Sequence, residues 1–464
     1  MRTDSFIYFA CASELRNIAK SFIHLTCRRS LFVLLSISLI FVQNRTMEFN
    51  LPEETSKFQK FNGMVLKFLE KQRNTDENKL IYRHQIDAVF AVKEYFSSAE
   101  TPDRPALVVA PTGAGKSGIV ALLPYVLAAS KVMILSPSLI ITKQLEMEFG
   151  LRNDAATESF YFKRGMIQES HLNAFLEAGK KIDHTEAIKN MQKYNLVIVN
   201  AQKFSKNSSA SLVEPDDTVD EMVGIQLLRT RENFASFTTL IVDEAHHYPA
   251  ETWDLIYREF RGKQIVFLTA TPFRGCDRKE LWDGQRITYN ISKQALIEMK
   301  IIRSLRYANI NCGNMGGNTR SQLIEEFINQ TLDEHDQLEP SVQHKAMVLV
   351  QDKEQAEKEA TSFQNATYFT SDKRTGRNLK QFENSTRRIL FVCGSLLEGY
   401  DNPDVSLCVI LRKVGVLGLF TQFVGRCIRV SKNLPNNRTD PVEAVVASVY
   451  EFAQETNFND YRDY

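Results

Sequence analysis

The sequence lacks several features that mark specialised classes of protein. Its net charge is only +1 over 464 residues, so a nucleic-acid-binding surface would have to be a local patch and not a general excess of basic side chains. Its seven cysteines include no CxxC pair, which argues against a zinc site and favours scattered thiols in a reducing compartment. No repeat of solenoid period is present. What remains is the composition of an ordinary globular protein, with 43% hydrophobic and 24% charged residues.

A hydrophobic run long enough to cross a membrane is also missing. Residues 31–42 are apolar and follow Arg28 and Arg29, but they fall short of the about 20 residues that a membrane helix needs. The segment before them is too long for a signal peptide. Because Met47 opens a more ordinary sequence, we interpret residues 1–46 as a hydrophobic leader ahead of an alternative start; a membrane anchor is the competing interpretation. We expect an intracellular protein, in the nucleus or the cytoplasm.

Short apolar runs alternate with helical patterns through most of the chain. An amphipathic helical stretch at residues 50–96 comes first. The apolar runs follow at residues 107–110, 132–135, 196–199, 240–242 and 265–268, and again at residues 347–350, 389–392, 407–411 and 444–449. Such alternation is typical of doubly wound parallel sheets, so we predict an α/β protein with two lobes. The predicted divisions are a leader (1–46), a helical N-terminal extension (47–78), a first lobe (79–295) and a second lobe (296–464).

Residues 110–117, with the sequence APTGAGKS, lie between the first apolar run and a helical segment. A strand, a glycine-rich loop and a helix in this order form a phosphate-binding loop. Gly113 and Gly115 would let successive N–H groups face an anion. Lys116 would reach the β- and γ-phosphates, and the Ser117 hydroxyl would ligate Mg²⁺. A chance glycine-rich turn is the competing explanation, and the flanking elements argue against it. The predicted nucleotide-binding residues of the loop are Pro111, Thr112, Gly113, Ala114, Gly115, Lys116 and Ser117.

Two carboxylates, Asp243 and Glu244, come directly after the apolar run at residues 240–242. Open parallel sheets bind their ligands at the carboxyl ends of the strands. Asp243 is predicted to hold Mg²⁺ through its water shell, and Glu244 to orient and deprotonate an attacking water. An isolated acidic pair is usually a solvated turn, but a preceding strand and a phosphate loop favour the catalytic interpretation. The adjacent His246 and His247 cannot easily share one ion, so we predict no metal cluster there.

Further motifs occur in a fixed order along the chain. They are Arg83 and Gln85, Ser136-Pro137-Ser138, Asn200-Ala201-Gln202, Thr269-Ala270-Thr271, Gly399-Tyr400-Asp401, and residues 422–429 with the sequence QFVGRCIR. Between about residues 82 and 430, this series resembles the superfamily 2 helicases and translocases of the DEAH type, and most of all the motor (Res) subunits of restriction enzymes. The resemblance implies two tandem RecA-like lobes with the ATP site in the cleft between them.

The resemblance also implies how the nucleotide would be held. Arg83 and Gln85 would recognise the adenine, which makes ATP with Mg²⁺ the expected cofactor pair, although upstream glutamine motifs are short and common. Asp401 would contact the ribose or the lobe interface. The residues implied to couple the state of hydrolysis to the other lobe are His246, Thr269 and Thr271.

By the same resemblance, the second lobe completes the catalytic site. Gln422 would sense the γ-phosphate, and Arg426 and Arg429 would be arginine fingers. General chemistry supports the last role, because a guanidinium placed against the transition state of phosphoryl transfer is worth on the order of 10³–10⁵ in rate. Fingers on a separate lobe would make hydrolysis depend on lobe closure, which can drive movement. The predicted catalytic residues are Lys116, Glu244, Gln422, Arg426 and Arg429.

The predicted nucleic-acid contacts lie after the strands of both lobes. Pro137, Ser138, Asn200 and Gln202 would contact phosphates, which positions a strand without reading its sequence. Strand-to-helix turns with capping residues are the competing interpretation. In the second lobe, Cys393 stands where the related motif usually begins with Thr, so Ser395 is predicted to make the hydroxyl contact.

We therefore predict an ATP-dependent helicase or translocase that moves on nucleic acid. The family likeness favours DNA, and RNA stays open. An ATP-gated duplex sensor or clamp without net unwinding is the alternative function. No nuclease, methyltransferase or separate nucleic-acid-reading domain is visible in the sequence.

Overall fold

The computed structural model contains two parallel sheets flanked by helices. It describes residues 56–75, 80–98, 104–151, 153–168, 179–182, 193–200, 234–247, 257–274, 279–281, 285–312, 317–370, 372–394, 396, 400–414, 417–431 and 441–449. The predicted leader, Gln202 and Ser395 lie outside these residues. In the described ranges, no helix combines the length and the hydrophobicity that a membrane span needs.

In the part of the chain that the structure describes, two helices precede the first strand, α1 (Lys57–Arg73) and α2 (Arg83–Ser97). A capping box starts α1: the Ser56 hydroxyl accepts from the Gln59 N–H, and the Gln59 side chain accepts from the Ser56 N–H. Phe58 and Val65 on α1 are fully buried, so the apolar face of this amphipathic helix packs in the core. The predicted helical stretch is therefore confirmed, but as two helices with a break between them.

The first sheet has seven parallel strands. The strands of the first lobe are β1 (Ala106–Val109), β2 (Val132–Ser136), β3 (Gly179–Ile182), β4 (Leu196–Asn200), β5 (Thr239–Val242), β6 (Gln264–Thr269), β7 (Phe273–Arg274), β8 (Lys279–Glu280) and β9 (Ile287–Asn290). The sheet order is β3-β4-β2-β5-β6-β1-β9, and every neighbouring pair in it is parallel. The short strands β7 and β8 form a separate antiparallel pair.

Helices connect these strands on both faces of the sheet. The main ones are α3 (Lys116–Val126) after β1 and α4 (Leu139–Glu148) after β2, followed by the short α5 (Phe160–Lys163). The chain then leaves the first sheet after β9 and forms α6 (Lys293–Glu298) before the first strand of the second sheet. The lobe boundary predicted at residues 295 and 296 falls within α6.

The second sheet has six parallel strands. They are β10 (Leu305–Asn309), β11 (Lys345–Leu349), β12 (Ala366–Phe369), β13 (Ile389–Val392), β14 (Val405–Ile410) and β15 (Ala444–Ser448), in the order β10-β15-β14-β11-β13-β12. The helices of this lobe are α7 (Gly317–Leu338), α8 (Lys353–Ser362), α9 (Gly376–Glu383) and α10 (Leu417–Val424).

The central strands of both sheets bury both of their faces. In β1, Val108 packs into one apolar cluster and Leu107 into another. In β11, the neighbouring residues Val348 and Met347 likewise pack into two different apolar clusters. Because neighbouring side chains on a strand point to opposite faces, helices must cover each sheet on both sides. The predicted α/β fold with two doubly wound parallel-sheet lobes is confirmed.

The two lobes contact each other through the phosphate loop. Ala110 and Ala114 of that loop belong to the same apolar cluster as Ile302, Phe423 and Ile428. The described residues of both lobes accordingly form one compact unit. The loop therefore lies where the first lobe meets the second.

Candidate active site at the lobe interface

The phosphate loop connects β1 to α3, and its conformation depends on two glycines. Gly113 and Gly115 have φ angles of 85° and 76°, which side chains with a Cβ rarely adopt. A Cβ on Gly113 would also lie 2.9 Å from Ile302 Cγ2, so the loop passes close to the chain that links the lobes. Helix α3 starts at Lys116, and its first N–H groups face the loop, where they can bind a phosphate.

A second close approach joins the loop to the arginine motif of the second lobe. A Cβ added at Gly425 would overlap the side chain of Thr112. Thr112 is itself buried. The loop and residues 422–429 are therefore packed against each other, as a catalytic site shared between two lobes requires.

The upstream motif lies behind the phosphate loop and contacts it directly. The Gln85 amide nitrogen donates to the Gly115 carbonyl at 2.8 Å, and the Gln85 amide oxygen accepts from the Tyr82 N–H at 3.2 Å. The packing is tight, because a Cβ on Gly115 would lie 2.6 Å from the Gln85 amide nitrogen. The structure thus places Gln85 on the loop, and adenine recognition by this residue stays a prediction.

His84 also contacts the phosphate loop, and this contact was not predicted from the sequence. Its Nε2 lies 2.6 Å from the Ala114 carbonyl oxygen, and burial lowers its pKa, with the bond to Ala114 opposing that shift. The ring is therefore neutral at pH 7 and donates from Nε2. The sequence feature that could have indicated this role is the position of His84 between two predicted site residues, Arg83 and Gln85.

Arg83 makes local contacts in the structure. Its Nε lies 3.0 Å from Asp87 Oδ2, and its Nη1 donates to the Arg73 carbonyl at 2.7 Å. These bonds connect α2 to the end of α1. Since the side chain is half-exposed, a nucleotide contact by Arg83 stays a prediction.

The predicted catalytic lysine and glutamate are brought together across the sheet. Lys116 Nζ lies 3.3 Å from Glu244 Oε1 and 3.4 Å from the Ala110 carbonyl oxygen. The two side chains come from the start of α3 and the end of β5. The hydroxyl of the adjacent residue, Ser117, accepts a long hydrogen bond of 3.5 Å from the side-chain amide of Gln144 in α4.

Glu244 has a backbone conformation that is unusual for its residue type. Its φ angle is 51°, in the left-handed region, and its N–H donates to Asp243 Oδ1 at 3.0 Å. A non-glycine residue in this region costs about 1–3 kcal/mol, and such strain is found mostly at functional sites. The turn directs the Glu244 carboxylate towards Lys116.

The two neighbouring carboxyls have different proton affinities. Burial and then the charge of Glu244 raise the pKa of Asp243 to about 7, with Lys116 opposing the shift. Burial would also raise the pKa of Glu244, but Lys116, together with His246, lowers it below its ordinary value. At neutral pH Glu244 is therefore ionised, whereas Asp243 is only partly ionised and a cation beside it would favour its charged form.

The oxygen donors at this site fit a magnesium ion held together with a nucleotide. Mg²⁺ is usually bound by one or two carboxylates, a hydroxyl and the phosphates of the substrate, and it keeps several waters. The buried Asp243 carboxyl and the Ser117 hydroxyl are groups of these kinds. Among the described residues, no group of three or more His, Cys, Asp or Glu side chains could hold a metal ion alone.

The predicted coupling residues form a hydrogen-bonded series. The Gln422 amide nitrogen lies 3.1 Å from His246 Nε2, and His246 Nδ1 lies 3.3 Å from Thr269 Oγ1 and 3.5 Å from Glu244 Oε2. Since the amide donates to Nε2, the ring proton is on Nδ1. The Thr269 hydroxyl donates to the Thr271 carbonyl at 3.1 Å, so it can accept from that ring proton.

The two predicted arginine fingers lie in the segment that follows α10. Arg426 is buried and donates to the carbonyls of Gln422 and Tyr400. Burial, and then the charge of Arg429, lower its pKa to about 10, while Glu244 opposes the shift, so Arg426 stays charged at neutral pH. Arg429 forms an ion pair with Asp401, the residue predicted to contact the ribose or the lobe interface.

The predicted nucleic-acid residues are only partly described. Strands β2 and β4 pair in register, with Ser136 opposite Asn200, so both predicted segments begin at one edge of the first sheet. The Ser138 hydroxyl accepts from the Ile141 N–H at 3.3 Å and caps α4, and Pro137 is buried. The capping role that the sequence left open is therefore present, and contact with a phosphate stays a prediction.

Comparison with known proteins agrees with this architecture. Residues 78–274 match the family model described as type III restriction enzyme, res subunit. That range includes the phosphate loop, the acidic pair and the Thr269-Ala270-Thr271 motif. A 51.5 kDa protein of a Lactococcus phage (isolate 7-9) is 26% identical over 211 residues, which cover 41% of this chain and 46% of the phage protein.

Two solved structures share the fold over both lobes. The Mycobacterium smegmatis helicase Lhr, bound to ssDNA and AMP-PNP, has a TM-score of 0.53 at 15% identity and covers 85% of this chain and 48% of its own. A fragment assigned as an HsdR subunit of a type I restriction enzyme from Vibrio vulnificus has a TM-score of 0.53 at 16% identity, over 86% of this chain and 72% of its own. The chain thus spans about half the length of the phage protein and of Lhr.

The resemblance predicted from the motifs is therefore confirmed. The fold of two tandem RecA-like lobes is similar to that of the helicase Lhr and of the HsdR fragment. Its first lobe matches the family model of the res subunit of type III restriction enzymes.

Proposed function

We propose that this chain is an ATP-dependent helicase or translocase that moves on nucleic acid. The observation that carries the proposal is the meeting of two sets of predicted catalytic residues at one interface. Lys116 and Glu244 pair in the first lobe, and Gln422 of the second lobe reaches the same site through His246. A nucleotide-binding protein that acts through one lobe alone has no need of the second set.

The nucleotide would be held mainly by the first lobe. The backbone N–H groups of the loop and Lys116 would bind the phosphates, while Ser117 and Asp243 would hold Mg²⁺. When bound, Mg²⁺ would neutralise charge on the β- and γ-phosphates. The match of the first lobe to a restriction-motor family and the fold shared with Lhr support ATP as the nucleotide.

Hydrolysis would proceed by attack of a water on the γ-phosphorus. Glu244, whose pKa is lowered by Lys116, is ionised and can orient the water and accept its proton. The new bond forms between the water oxygen and phosphorus, and the bond to the β-phosphate oxygen breaks, which gives ADP and inorganic phosphate. Arg426 and Arg429 would stabilise the charge that develops on the transferred group.

Movement would follow from the distribution of these residues between the lobes. Closure is needed to bring the arginines to the phosphates, and release of phosphate removes the group that holds them there. Each cycle would then move the two lobes relative to each other. The residues predicted to contact a strand are divided between these lobes: Pro137, Ser138, Asn200 and Gln202 in the first, and Ser395 in the second. DNA is the proposed partner, because Lhr is bound to ssDNA in its structure and the family model is that of a restriction enzyme.

The decisive experiment measures ATP hydrolysis by the full chain with single- and double-stranded DNA and RNA. We expect stimulation by DNA, and we expect Lys116→Ala to abolish it. Strand displacement on tailed duplexes and displacement of a third strand from a triplex then separate unwinding from translocation. Stimulated hydrolysis without either displacement would favour the ATP-gated sensor or clamp. Hydrolysis that no nucleic acid changes would overturn the proposal.

A further inference from the structure

A fully buried arginine outside the catalytic motifs holds the backbone of a predicted arginine finger. The Arg303 side chain has no exposed surface. Its Nε donates to the Arg429 carbonyl at 2.9 Å, and its backbone N–H donates to the Ile428 carbonyl at 2.6 Å. Two bonds from one residue thus fix the end of the arginine motif.

The guanidinium is itself held on its other side. Nη1 and Nη2 of Arg303 lie 3.0 Å and 3.1 Å from the two carboxylate oxygens of Glu339, which is also fully buried. The Val442 N–H donates to the same carboxylate, and the Val442 carbonyl accepts from Arg303 Nη1 at 3.1 Å. A bidentate pair with these backbone bonds leaves the guanidinium little freedom to rotate.

The residue before Arg303 connects the arginine motif to the phosphate loop. Ile302 is fully buried and forms an antiparallel bridge with Arg429. A Cβ at Gly113 of the loop would approach Ile302 Cγ2 to 2.9 Å. The segment that links the lobes therefore lies between the loop that would bind the phosphates and the residue that would complete the site.

We propose that Arg303, oriented by Glu339, is a positioning residue that sets the place of Arg429 against the phosphate loop. The inference rests on the proposed function, because it assumes that Arg429 acts on the phosphates. A buried ion pair is a poor way to gain stability, since apolar residues of similar volume often stabilise as well or better. Two directional bonds to the backbone of residues 428 and 429 instead supply a defined position, which apolar packing does not.

A purely structural role makes a different prediction. If Arg303 only stabilised the second lobe, its loss would lower the melting temperature, and any loss of turnover would be independent of Arg429. If it positions Arg429, turnover falls in folded protein and the loss disappears once Arg429 is removed. Arg388 provides a matched control, because it bonds two carboxylates, Asp333 and Asp336, and donates to the His344 carbonyl at 3.1 Å, and these three partners lie outside the arginine motif.

The test is a double-mutant cycle on the full chain with the nucleic acid that stimulates hydrolysis most. Arg303→Met, Arg429→Ala, the double variant and Arg388→Met are compared for kcat, KM for ATP, affinity for a fluorescent ATP analogue and melting temperature. We expect Arg303→Met to lower kcat by about 10²-fold, the effect of a misplacement of about 1 Å, with nucleotide affinity unchanged. The double variant should have the kcat of Arg429→Ala alone. Arg388→Met should lower the melting temperature and keep kcat.

Several outcomes would overturn the inference. One is a normal kcat for folded Arg303→Met, and another is a loss in the double variant equal to the product of the two single losses. Normal turnover by Arg429→Ala would show that Arg429 is not an arginine finger. That result would contradict the proposed function, and the single variant alone would reveal it. If Arg303→Met does not fold, the same cycle is run with Glu339→Gln, which keeps the side-chain volume but loses the charge that orients the guanidinium. The same non-additivity with Arg429→Ala is then expected, and additive losses would overturn the inference.

Discussion

Gln422 and His246 join the two lobes through one hydrogen bond. The Gln422 amide nitrogen lies 3.1 Å from Nε2 of the ring, and Nδ1 on the opposite side of the ring lies 3.3 Å from Thr269 Oγ1. A single imidazole therefore connects helix α10 of the second lobe to the end of β6 in the first. Because a hydrogen bond weakens steeply once its atoms separate, a small lobe movement would break this connection.

Loss of this connection should impair hydrolysis without impairing ATP binding. One net hydrogen bond contributes about 0.5–1.5 kcal/mol, so His246→Ala or Gln422→Ala should lower the stimulated kcat by about 2- to 12-fold. Affinity for the fluorescent ATP analogue should stay at the wild-type value. Because both residues act through the same bond, the double variant should be no slower than the slower single variant. Losses that multiply would show that the two residues act separately.

Glu244→Gln should block hydrolysis while ATP still binds. The amide cannot accept the proton of the attacking water, although it keeps the shape of the side chain. Single-turnover hydrolysis and binding of the fluorescent analogue measure the two steps separately. Glu298→Gln, on the exposed end of α6, is the control for an equivalent change away from the site. Turnover by Glu244→Gln within about twofold of wild type would refute the assignment as the base.

Gly425→Ala should separate the phosphate loop from the arginine motif. The added methyl would overlap Thr112, so either the loop or the end of α10 must move. Overpacking of this kind costs about 1–3 kcal/mol, and here the displaced groups belong to the predicted catalytic site. We expect a lower melting temperature together with a lower kcat. Gly418→Ala is the matched control, because a Cβ there meets nothing within 4 Å and both measurements should stay unchanged.

The second lobe should lose stability in acid because of a buried group of ionisable side chains. Burial, with His344 and Arg303 nearby, lowers the pKa of His335 to about 4. Burial would raise the pKa of Glu339, but its bonds to His344 and Arg303 lower it to about 2. In both cases the unfolded chain binds protons that the folded chain does not. Stability should therefore fall from about pH 6.5 towards 4 through His335, and from about pH 4.5 towards 2 through Glu339.

Melting temperatures recorded against pH test this expectation. His335→Asn can keep a bond to Ser406, which His335 Nδ1 contacts at 2.7 Å, and it removes the titration. Its melting temperature should change less than that of wild type between pH 6.5 and 4. An unchanged slope in this range would mean that other groups cause the acid sensitivity.

Apolar runs in the sequence located the central strands of both sheets and missed the edges. Strands β1, β2, β4, β5 and β6 were all predicted, as were β11, β13, β14 and β15. The four strands that were missed from the two sheets, β3, β9, β10 and β12, are the edge strands. An edge strand is not covered on every side, so it can be polar: β9 reads ITYN, and none of its four residues is fully buried. Its composition does not distinguish it from a loop.

The residues of the candidate site were likewise only partly predictable from the sequence. Lys116, Glu244 and Arg429 were predicted because they stand in short motifs with recognisable neighbours. Arg303 and Glu339 were not, because they are 36 residues apart in the sequence and meet only in the folded lobe. A lone arginine and a lone glutamate carry no local pattern that distinguishes a buried pair from two solvated charges.

Because Glu244 has a positive φ angle, stability and hydrolysis favour different residues at this position. Glycine adopts a φ of 51° without strain but has no carboxylate to activate water. A library randomised at this residue should therefore diverge under two selections. Variants chosen for heat resistance should accumulate glycine or asparagine at position 244, whereas variants chosen for ATP turnover should return glutamate.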